Sequence, residues 1–238
     1  KLAIKSIKIA KRAVYLNYYL LGSDLIDIGI NVNCAPCLDV ISEYTHSVIG
    51  NRSFSKDPNI VSLLGKMACN GLMDSGVLPI IKHIPGHGRA SSDSHLSLPV
   101  VKEKIKFLEN SDFIPFRALS KMPIAMTAHI LYKDIDAKWP ITQSKIANNY
   151  IKKKLNYRGI LISDDIEMSA LSGDIKSRIE SIYEAGYDII LHCSGKNKDT
   201  EVALKNGKIL DNNTLKKLQL SLDKIQKVNK LSCLSSYK

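Results

Sequence analysis

Short apolar runs alternate with helical segments along most of this chain. The runs with the composition of buried strands cover residues 28–34, 77–82, 123–129, 159–162 and 188–191. The clearest helical segment between them begins at Asp57-Pro58, an N-cap residue followed by proline at the first helical position, and ends at Gly76. Strands that alternate with helices in this way form parallel βα units. The sequence therefore predicts an α/β fold built on a parallel sheet.

Further helices are predicted from the spacing of apolar residues. They cover residues 2–27, 102–120, 143–155 and 175–185, and amphipathic helices continue to about residue 228. Gly22 is expected to weaken the first of these helices, and Pro115 is expected to break the second. No internal repeat or flexible linker interrupts the pattern, so we predict one domain over residues 1–230 and a frayed tail over residues 231–238.

Composition and charge limit the cellular compartment and the classes of partner that are expected for this chain. No apolar run is long enough to span a membrane, and Lys5 and Lys8 interrupt the stretch where a secretion signal would need apolar residues. Five cysteines, an odd number, favour a reducing cytoplasm over a disulfide framework. The net charge of +11 fits either a lysine-rich solvated surface or an anionic partner. No basic stretch is interleaved with aromatic residues, so we predict no nucleic-acid partner and no membrane partner.

Polar side chains recur just after the predicted strands. They are Asn33, Asp39, Lys82, His83, His129, Asp164 and His192. Enzymes built as barrels or as doubly wound sheets place their active sites at the carboxyl ends of parallel strands. The pattern predicts an enzyme and leaves open whether the sheet is a barrel or an open sheet.

The segment from Lys82 to Pro99 concentrates ionisable groups. Within it, Asp93-Ser94-His95 places a carboxylate two residues from an imidazole. A carboxylate that accepts from one ring nitrogen fixes the tautomer and leaves the other nitrogen as an acid and base near neutral pH. The alternative is that Asp93 caps a local turn and His95 has no role.

Asp164 and Asp165 end a predicted strand. A carboxylate there can act as a nucleophile or base or can hold a metal, whereas either residue can instead cap the following helix. Both interpretations are compatible if Asp164 faces the site and Asp165 faces the helix start.

Three other patterns carry weaker signals. His83, His87 and His95 invite a zinc hypothesis, but the intervening proline and glycine exclude a helical ligand pattern, and we predict no metal. Cys34 and Cys37 have the C-x-x-C spacing, but a nearby acid raises a thiol pKa, so ordinary buried cysteines are expected. Arg52, in a glycine-containing loop before a helix, either clamps a polar substrate or is an ordinary surface residue.

Several longer motifs occur in a fixed order. They are A-P-C-L-D-V at 35–40, I-G-N-R-S-F at 49–54, K-H-I-P-G-H-G at 82–88, D-S-H-L-S-L-P at 93–99, M-T-A-H-I at 126–130 and S-D-D-I-E-M at 163–168. With them the chain resembles family 3 glycoside hydrolases, and within these the single-domain bacterial β-N-acetylglucosaminidases of peptidoglycan recycling. The resemblance implies a (β/α)8 TIM-type barrel, no cofactor, and removal of terminal β-linked N-acetylglucosamine from muropeptides with retained configuration.

The resemblance also implies roles for individual residues. Asp164 matches the catalytic nucleophile, and His95 matches the general acid/base with Asp93 as its partner. Sugar hydroxyls would be bound by Arg52, Lys82 and His83. His87 is left with a structural role in the turn.

One departure from the family pattern concerns the N-terminal part of the barrel. The family has about two further βα units before the first helix of this chain, and the strand predicted at 28–34 matches the third family strand. One of these units carries a D-Q-E-G-G-R-V-type segment, and no such segment occurs between Lys1 and Asp39. We therefore expect an incomplete barrel with open edges and an exposed core, prone to instability or aggregation. A missing N-terminal segment or a second polypeptide would complete it. The alternative is an inactive remnant that only binds sugar.

Overall fold

The fold is built on parallel strands in a computed structural model that describes residues 2–43 and 45–226. The strands are β1 (Val32–Asn33), β2 (Leu78–Ile84), β3 (Val100–Val101), β4 (Ile124–Thr127), β5 (Leu131–Tyr132), β6 (Ile160–Asp165) and β7 (Ile189–Leu191). The tail predicted at residues 231–238 lies outside the described residues. All five runs predicted as strands contain one, although the first is only two residues long.

Helices separate the strands, as the sequence predicts. They are α1 (Leu2–Lys5), α2 (Ile7–Asp27), α3 (Pro58–Ser75), α4 (Ile105–Leu108), α5 (Ile114–Ala118), α6 (Lys145–Lys153), α7 (Ile175–Glu184), α8 (Asn197–Asn206) and α9 (Asn212–Gln226). Short 3-10 turns lie at Gly50–Arg52 and Ile141–Gln143. Within residues 2–43 and 45–226, no helix combines the length and apolarity needed to cross a lipid bilayer.

The order of the strands distinguishes the two candidate architectures. The main sheet has the order β1-β2-β4-β6-β7, and every pair of neighbours is parallel. The two remaining strands, β3 and β5, pair with each other in a small side sheet. The chain thus winds in one direction, without the reversal of strand order that characterises doubly wound sheets. The described strands form a curled half-barrel, with β1 and β7 at its two edges.

The termini of α3 agree with the sequence signals. The Asp57 carboxylate accepts the backbone N–H of Asn59 at 2.8 Å, and Pro58 occupies the first turn, where no hydrogen-bond donor is needed. Gly76 ends the helix in the left-handed region at φ 97°. The helix predicted over residues 102–120 is interrupted near Pro115, as expected, because α4 ends at Leu108 and α5 begins at Ile114. Pro115 itself lies in the first turn of α5, where its missing N–H is tolerated.

Gly22 does not interrupt α2, contrary to the expected weakening. The residue is buried where α2 crosses α3, and a side chain there would collide with the Ser75 hydroxyl. Gly71 makes the reciprocal approach from α3, where a methyl group would collide with the carbonyl oxygen of Tyr15. The packing of the two helices at close range offsets the low helix propensity of glycine.

Apolar residues on the two sides of the sheet form separate cores. One core joins sheet residues such as Ile81, Ala125 and Leu161 to helix residues such as Val61, Phe116, Ile151 and Ile182. The other contains Leu78, Ile80, Ile124, Met126, Ile160 and Ile162, packed against Leu218, Leu222 and Ile225 of α9. The second face is the one expected to lie exposed in an incomplete barrel. That expectation is wrong for the part that α9 covers, because these six sheet residues are at most 8% exposed.

Candidate active site

A cavity lies at the carboxyl ends of the strands. It is on the same face of the sheet as α9, which covers the earlier residues of the strands. On β6 the side chains of Ile160, Ile162 and Asp164 share this face, because successive strand residues point to opposite sides. On β2 the same rule places Ile80 and Lys82 together. The isoleucines are buried under α9. The next residue on the same face of each strand, two positions further along, is charged. The sheet therefore presents Lys82 and Asp164 just beyond its apolar part.

A register shift in β2 adds a second polar side chain from the same strand. Lys82 pairs with Met126 and Ile84 pairs with the next residue of β4, Thr127, so His83 is extra relative to the partner strand. The peptide bond between Lys82 and His83 is cis. An extra residue in one strand re-aims side chains that regular alternation would send to opposite faces. Lys82 and His83 both line the cavity.

The cavity, of about 190 Å³, collects most of the predicted site residues. It is lined by Val48, Arg52, Lys82, His83, His87, Ser94, His95, Asp164 and Met168. Five of the six residues predicted from the sequence belong to this lining. The sixth, Asp93, is connected to the cavity through its hydrogen bond to His95.

Asp93 and His95 form the predicted carboxylate–imidazole pair. Asp93 Oδ1 lies 2.7 Å from His95 Nδ1 and also accepts the backbone N–H of His95 at 2.9 Å. Slight burial raises the pKa of Asp93, but the hydrogen bonds from His95 and its charge outweigh this effect and lower the pKa. The ring, 61% exposed, keeps Nε2 available for proton transfer. Asp93 also stabilises a local turn, because its backbone carbonyl accepts the N–H groups of Leu96 and Ser97.

The loop that carries this pair is attached to the segment after Asp164. The backbone N–H of Ser169 donates to the carbonyl of His95 at 3.3 Å, and that of Ala170 donates to the carbonyl of Ser94 at 3.1 Å. These bonds hold the imidazole beside the end of β6, because the loop docks on residues 169–170.

Asp164 is the carboxylate of the cavity. Its Oδ2 lies 3.9 Å from His83 Nε2, and its Oδ1 accepts the backbone N–H of Asp165 at 2.9 Å. Burial raises its pKa, but the charges of His83, His129 and Lys82 and the backbone hydrogen bond outweigh burial and lower the pKa. Asp164 is therefore ionised near neutral pH, as a nucleophile must be.

Asp165 has a different role from the one expected. Its Oδ1 accepts the backbone N–H groups of Glu167 and Cys193, both at 3.1 Å. It thus stabilises the turn after β6 and attaches that turn to the end of β7. The next helix, α7, is capped by Asp174, whose carboxylate accepts the N–H of Ser177. The expectation that Asp165 faces the helix start is wrong because the turn extends for nine residues before α7 begins.

Asp39 is the main residue of the site that the sequence patterns did not assign. It is fully buried, and its Oδ1 accepts the backbone N–H groups of His83 at 3.2 Å and His87 at 2.6 Å. Its Oδ2 lies 2.7 Å from His83 Nδ1 and 3.1 Å from Cys37 Sγ. Burial raises the Asp39 pKa, but His83 and the other donors outweigh burial and lower it well below the usual range. By holding Nδ1, Asp39 directs Nε2 of His83 toward Asp164.

Two further histidines are buried supports. His87 Nε2 lies 3.3 Å from Ser94 Oγ, and burial, with a smaller effect of His83, lowers the His87 pKa to about 4. His129 Nε2 donates to the Asp165 carbonyl at 3.0 Å, and burial lowers the pKa of His129. The His87 ring is therefore neutral at pH 7, and both rings fix the loop and the end of β6.

Arg52 and the two nearby cysteines lie on the side of the cavity toward β1. Arg52 Nε donates to the Val48 carbonyl at 2.9 Å, and its side chain lines both this cavity and a neighbouring one of about 600 Å³. Burial raises the pKa of Cys34, and burial and Asp39 together raise that of Cys37 well above its usual value. A pair of thiols with raised pKa values is not suited to redox catalysis, as the sequence predicts.

The three histidines of the zinc hypothesis do not share one ligand arrangement. His83 Nδ1 is bound to Asp39, the His87 ring packs edge-on against His83 with centroids 5.4 Å apart, and His95 is exposed beyond them. Among the residues that the structure describes, the group that could hold a metal is instead Cys37, Asp39 and His83.

Comparison with known proteins shows the family to which the chain belongs. A model described as the glycosyl hydrolase family 3 N-terminal domain matches residues 8–228. A beta-hexosaminidase of Neisseria gonorrhoeae (strain NCCP11945) is 36% identical over 181 residues, which is 74% of this chain and 50% of the relative. The chain spans about half the length of the curated relatives it matches.

Solved structures give the same result. A family 3 beta-N-acetylglucosaminidase from Paenibacillus sp. str. FPU-7 has a TM-score of 0.79 at 30% identity, covering 92% of this chain and 44% of that one. NagZ from Neisseria gonorrhoeae, in complex with N-trifluoroacetyl-D-glucosamine, has a TM-score of 0.80 at 30% identity, covering 93% of this chain and 66% of that one. The resemblance seen in the motifs is confirmed: the chain belongs to glycosyl hydrolase family 3, and residues 8–228 correspond to its N-terminal domain.

Proposed function

We propose that this chain carries the catalytic residues of a retaining β-N-acetylglucosaminidase, which removes terminal non-reducing N-acetylglucosamine from peptidoglycan fragments in the cytoplasm. The observation that supports this most directly is the single cavity that brings His95 and Asp164 together with Arg52, Lys82 and His83. The similarity to beta-hexosaminidases supports the sugar and the linkage. The odd number of cysteines favours a reducing compartment.

Asp164 is the nucleophile in this proposal. Its ionised carboxylate attacks the anomeric carbon, a bond forms between carbon and carboxylate oxygen, and the glycosidic carbon–oxygen bond breaks. Water then attacks the same carbon, and the carboxylate leaves. Two displacements at one carbon return the sugar to its β configuration. No step needs a cofactor.

His95 moves the proton in both steps. Protonated at Nε2, it donates to the leaving oxygen as the glycosidic bond breaks, and the neutral ring then accepts a proton from the attacking water. Asp93, 2.7 Å from Nδ1, stabilises the imidazolium form and holds the tautomer. Because the pair lies on an exposed loop, we expect the loop to move between the two steps. An imidazole held away from Asp164 with and without sugar would contradict that motion.

The sugar is held by the cations of the cavity. Lys82 and Arg52 line the cavity on the β2 and β1 sides and can donate to hydroxyl oxygens. His83, positioned by Asp39, presents Nε2 at 3.9 Å from Asp164 and can form a hydrogen bond with a hydroxyl between them.

We further propose that full activity needs additional polypeptide to complete the barrel, either a preceding segment or a second chain. The described sheet ends at β1 and β7, whose outer edges have no strand partner among the described residues. The alternative, that the chain binds sugar without turnover, follows if the unpaired edges leave the cavity incomplete.

Hydrolysis of a chromogenic β-N-acetylglucosaminide tests the proposal. We expect turnover that Asp164→Asn abolishes and that His95→Ala lowers by about 100- to 10,000-fold. Asp165→Asn is the matched control, since it changes the neighbouring carboxylate without changing the nucleophile, and it should retain far more activity than Asp164→Asn. A β-glucoside should be a poor substrate.

The result for the chain alone separates the two candidate functions. Turnover by the 238-residue chain alone at the rate of the similar beta-hexosaminidase of Neisseria gonorrhoeae would refute the need for additional polypeptide. Sugar binding without turnover, in a folded chain, would support the binding-only alternative. Equal activity of wild type and Asp164→Asn would refute the assignment of the nucleophile.

A further inference from the structure

Three metal-binding side chains converge behind the active-site cavity. Cys37, Asp39 and His83 are 5%, 0% and 4% exposed, and one ligand atom from each lies within 4.8 Å of the others. They come from two neighbouring elements, the segment after β1 and the end of β2, which are joined by a bridge between Cys37 and Lys82. The cluster is therefore fixed by the backbone of the sheet.

Two hydrogen bonds of the cluster contain protons that a metal ion could replace. The Cys37 thiol and His83 Nδ1 both face the same atom, Asp39 Oδ2, at 3.1 and 2.7 Å. Thiol protons are released when zinc binds, and an imidazole nitrogen becomes a ligand when its proton moves to the other nitrogen. A cation among the three atoms would take the place of both bonds. Asp39 would keep its two backbone donors, which bind Oδ1.

We propose that Cys37, Asp39 and His83 form a binding site for a thiophilic divalent cation such as Zn²⁺. Thiolate, imidazole and carboxylate are the ligand types that zinc prefers. The charges also match, because a carboxylate and a thiolate together neutralise a divalent ion in a buried site. With tetrahedral geometry, oxygen, nitrogen and sulfur ligands lie roughly 3.3–3.5 Å apart. The distances from Asp39 Oδ2 to Cys37 Sγ and to His83 Nδ1, now 3.1 and 2.7 Å, must therefore each lengthen by about half an ångström.

An ion has a route to this site. Cys37 lines the cavity of about 600 Å³ on the β1 side, and His83 lines the active-site cavity. Lys82 and Arg52 border both cavities, so the cluster lies at the wall between them. Solvent in the larger cavity can supply the fourth ligand that three protein ligands leave open.

Occupation of the metal site would affect the candidate active site. This consequence rests on the proposed function, whereas the metal binding itself does not. His83 belongs to both, since its Nδ1 faces the cluster and its Nε2 lies 3.9 Å from Asp164 Oδ2. A metal ion at Nδ1 would move the ring by about the half-ångström given above, which displaces a sugar-binding donor. We therefore expect metal binding to lower glycosidase activity.

The binding is tested with Co²⁺, which reports a thiolate ligand through a charge-transfer absorption in the near ultraviolet. The purified reduced chain should develop this band with one equivalent of Co²⁺, and Zn²⁺ should displace it. Cys37→Ser and Cys37→Val should both lose the band. Cys34→Ser is the matched control from the same C-x-x-C segment and should keep it. His95→Ala should also keep it, which separates this site from metal held at the Asp93–His95 pair.

Calorimetry adds a second readout that does not depend on activity. Zn²⁺ binding at neutral pH should release a proton from the Cys37 thiol, so the measured enthalpy should vary with the ionisation enthalpy of the buffer. Circular dichroism checks that each variant is folded. A folded wild-type chain without the cobalt band, or a Cys37→Val variant that retains it, would overturn the proposal. Metal binding without any effect on hydrolysis would leave the site intact and refute only its coupling to activity.

Discussion

Asp39 is a single buried carboxylate that organises the candidate active site through hydrogen bonds to three residues. Its two oxygens receive the backbone N–H groups of His83 and His87, the His83 ring and the Cys37 thiol. In the sequence, Asp39 is recognised only as one of the polar residues that follow a predicted strand and as part of the motif A-P-C-L-D-V. Its partner His83 is 44 residues away, so only the fold could show which side chain it holds.

The buried histidine His87 predicts a pH dependence of stability. Its pKa is lowered from 6.5 to about 4 in the folded chain, so the unfolded chain takes up the proton first as the pH falls. The stability that the neutral ring provides is complete above pH 6.5 and is lost progressively down to about pH 4. We expect the free energy of unfolding, measured with urea, to fall over this range.

The contribution of this residue can be isolated by substitution. His87→Gln removes the titrating group, so the decline between pH 6.5 and 4 should be shallower than in wild type, although the variant is less stable at pH 7. His129, whose pKa is also lowered by burial, accounts for part of the remaining slope. An unchanged slope in His87→Gln would contradict the assignment.

At the scale of elements, α2 and α3 cross at close range before the chain enters β2. The spacing of apolar residues predicts both helices, and the Asp57 cap and Gly76 stop predict the bounds of α3. The role of the glycines was missed, because a glycine within a helix pattern looks unfavourable until a neighbouring backbone is seen against it. Gly22 and Gly71 lie where the other helix leaves no room for a methyl group.

Substitution of Gly71 by alanine should therefore destabilise the chain. Alanine is favoured over glycine within a helix by about 1 kcal/mol, but here its methyl group would collide with the backbone oxygen of Tyr15, which cannot rotate away. We expect a net loss of about 1–3 kcal/mol in urea unfolding. Gly207→Ala is the control, because φ there is −64° and the nearest atom to a new methyl lies at 3.3 Å. A Gly71→Ala variant more stable than wild type would show that the helices can separate at no cost.

At the scale of the whole molecule, α9 takes a position that the half-barrel makes available. A closed barrel fills its interior with side chains from all of its strands. Here Leu218, Leu222 and Ile225 pack on the lower part of the face that carries Lys82 and Asp164. The helix buries the apolar residues and leaves the charged ends of the strands accessible.

Loss of this packing should destabilise the chain and expose its sheet. Ile225 is 4% exposed, so Ile225→Asp places a charge among apolar residues and should cost about 3 kcal/mol or more in urea unfolding. Binding of a dye that reports exposed apolar surface should rise. Leu215→Asp on the same helix is the control, because Leu215 is 52% exposed and its change should stay within about 0.5 kcal/mol. Similar losses in both variants would contradict the packing of α9 on the sheet.

Local patterns in the sequence predict most of the elements and the chemical groups that they carry. Periodicity and caps are local properties, so the strands, most helices and the polar residues at strand ends could be predicted, and the motifs placed Asp93, His95 and Asp164 in the family. Tertiary structure alone decided the contacts between distant segments. These are the winding of the sheet, the register shift that turns both Lys82 and His83 to the cavity, the Asp39–His83–Cys37 cluster, and α9 on the inner face. Each depends on the distance between residues far apart in the chain, which no local pattern encodes.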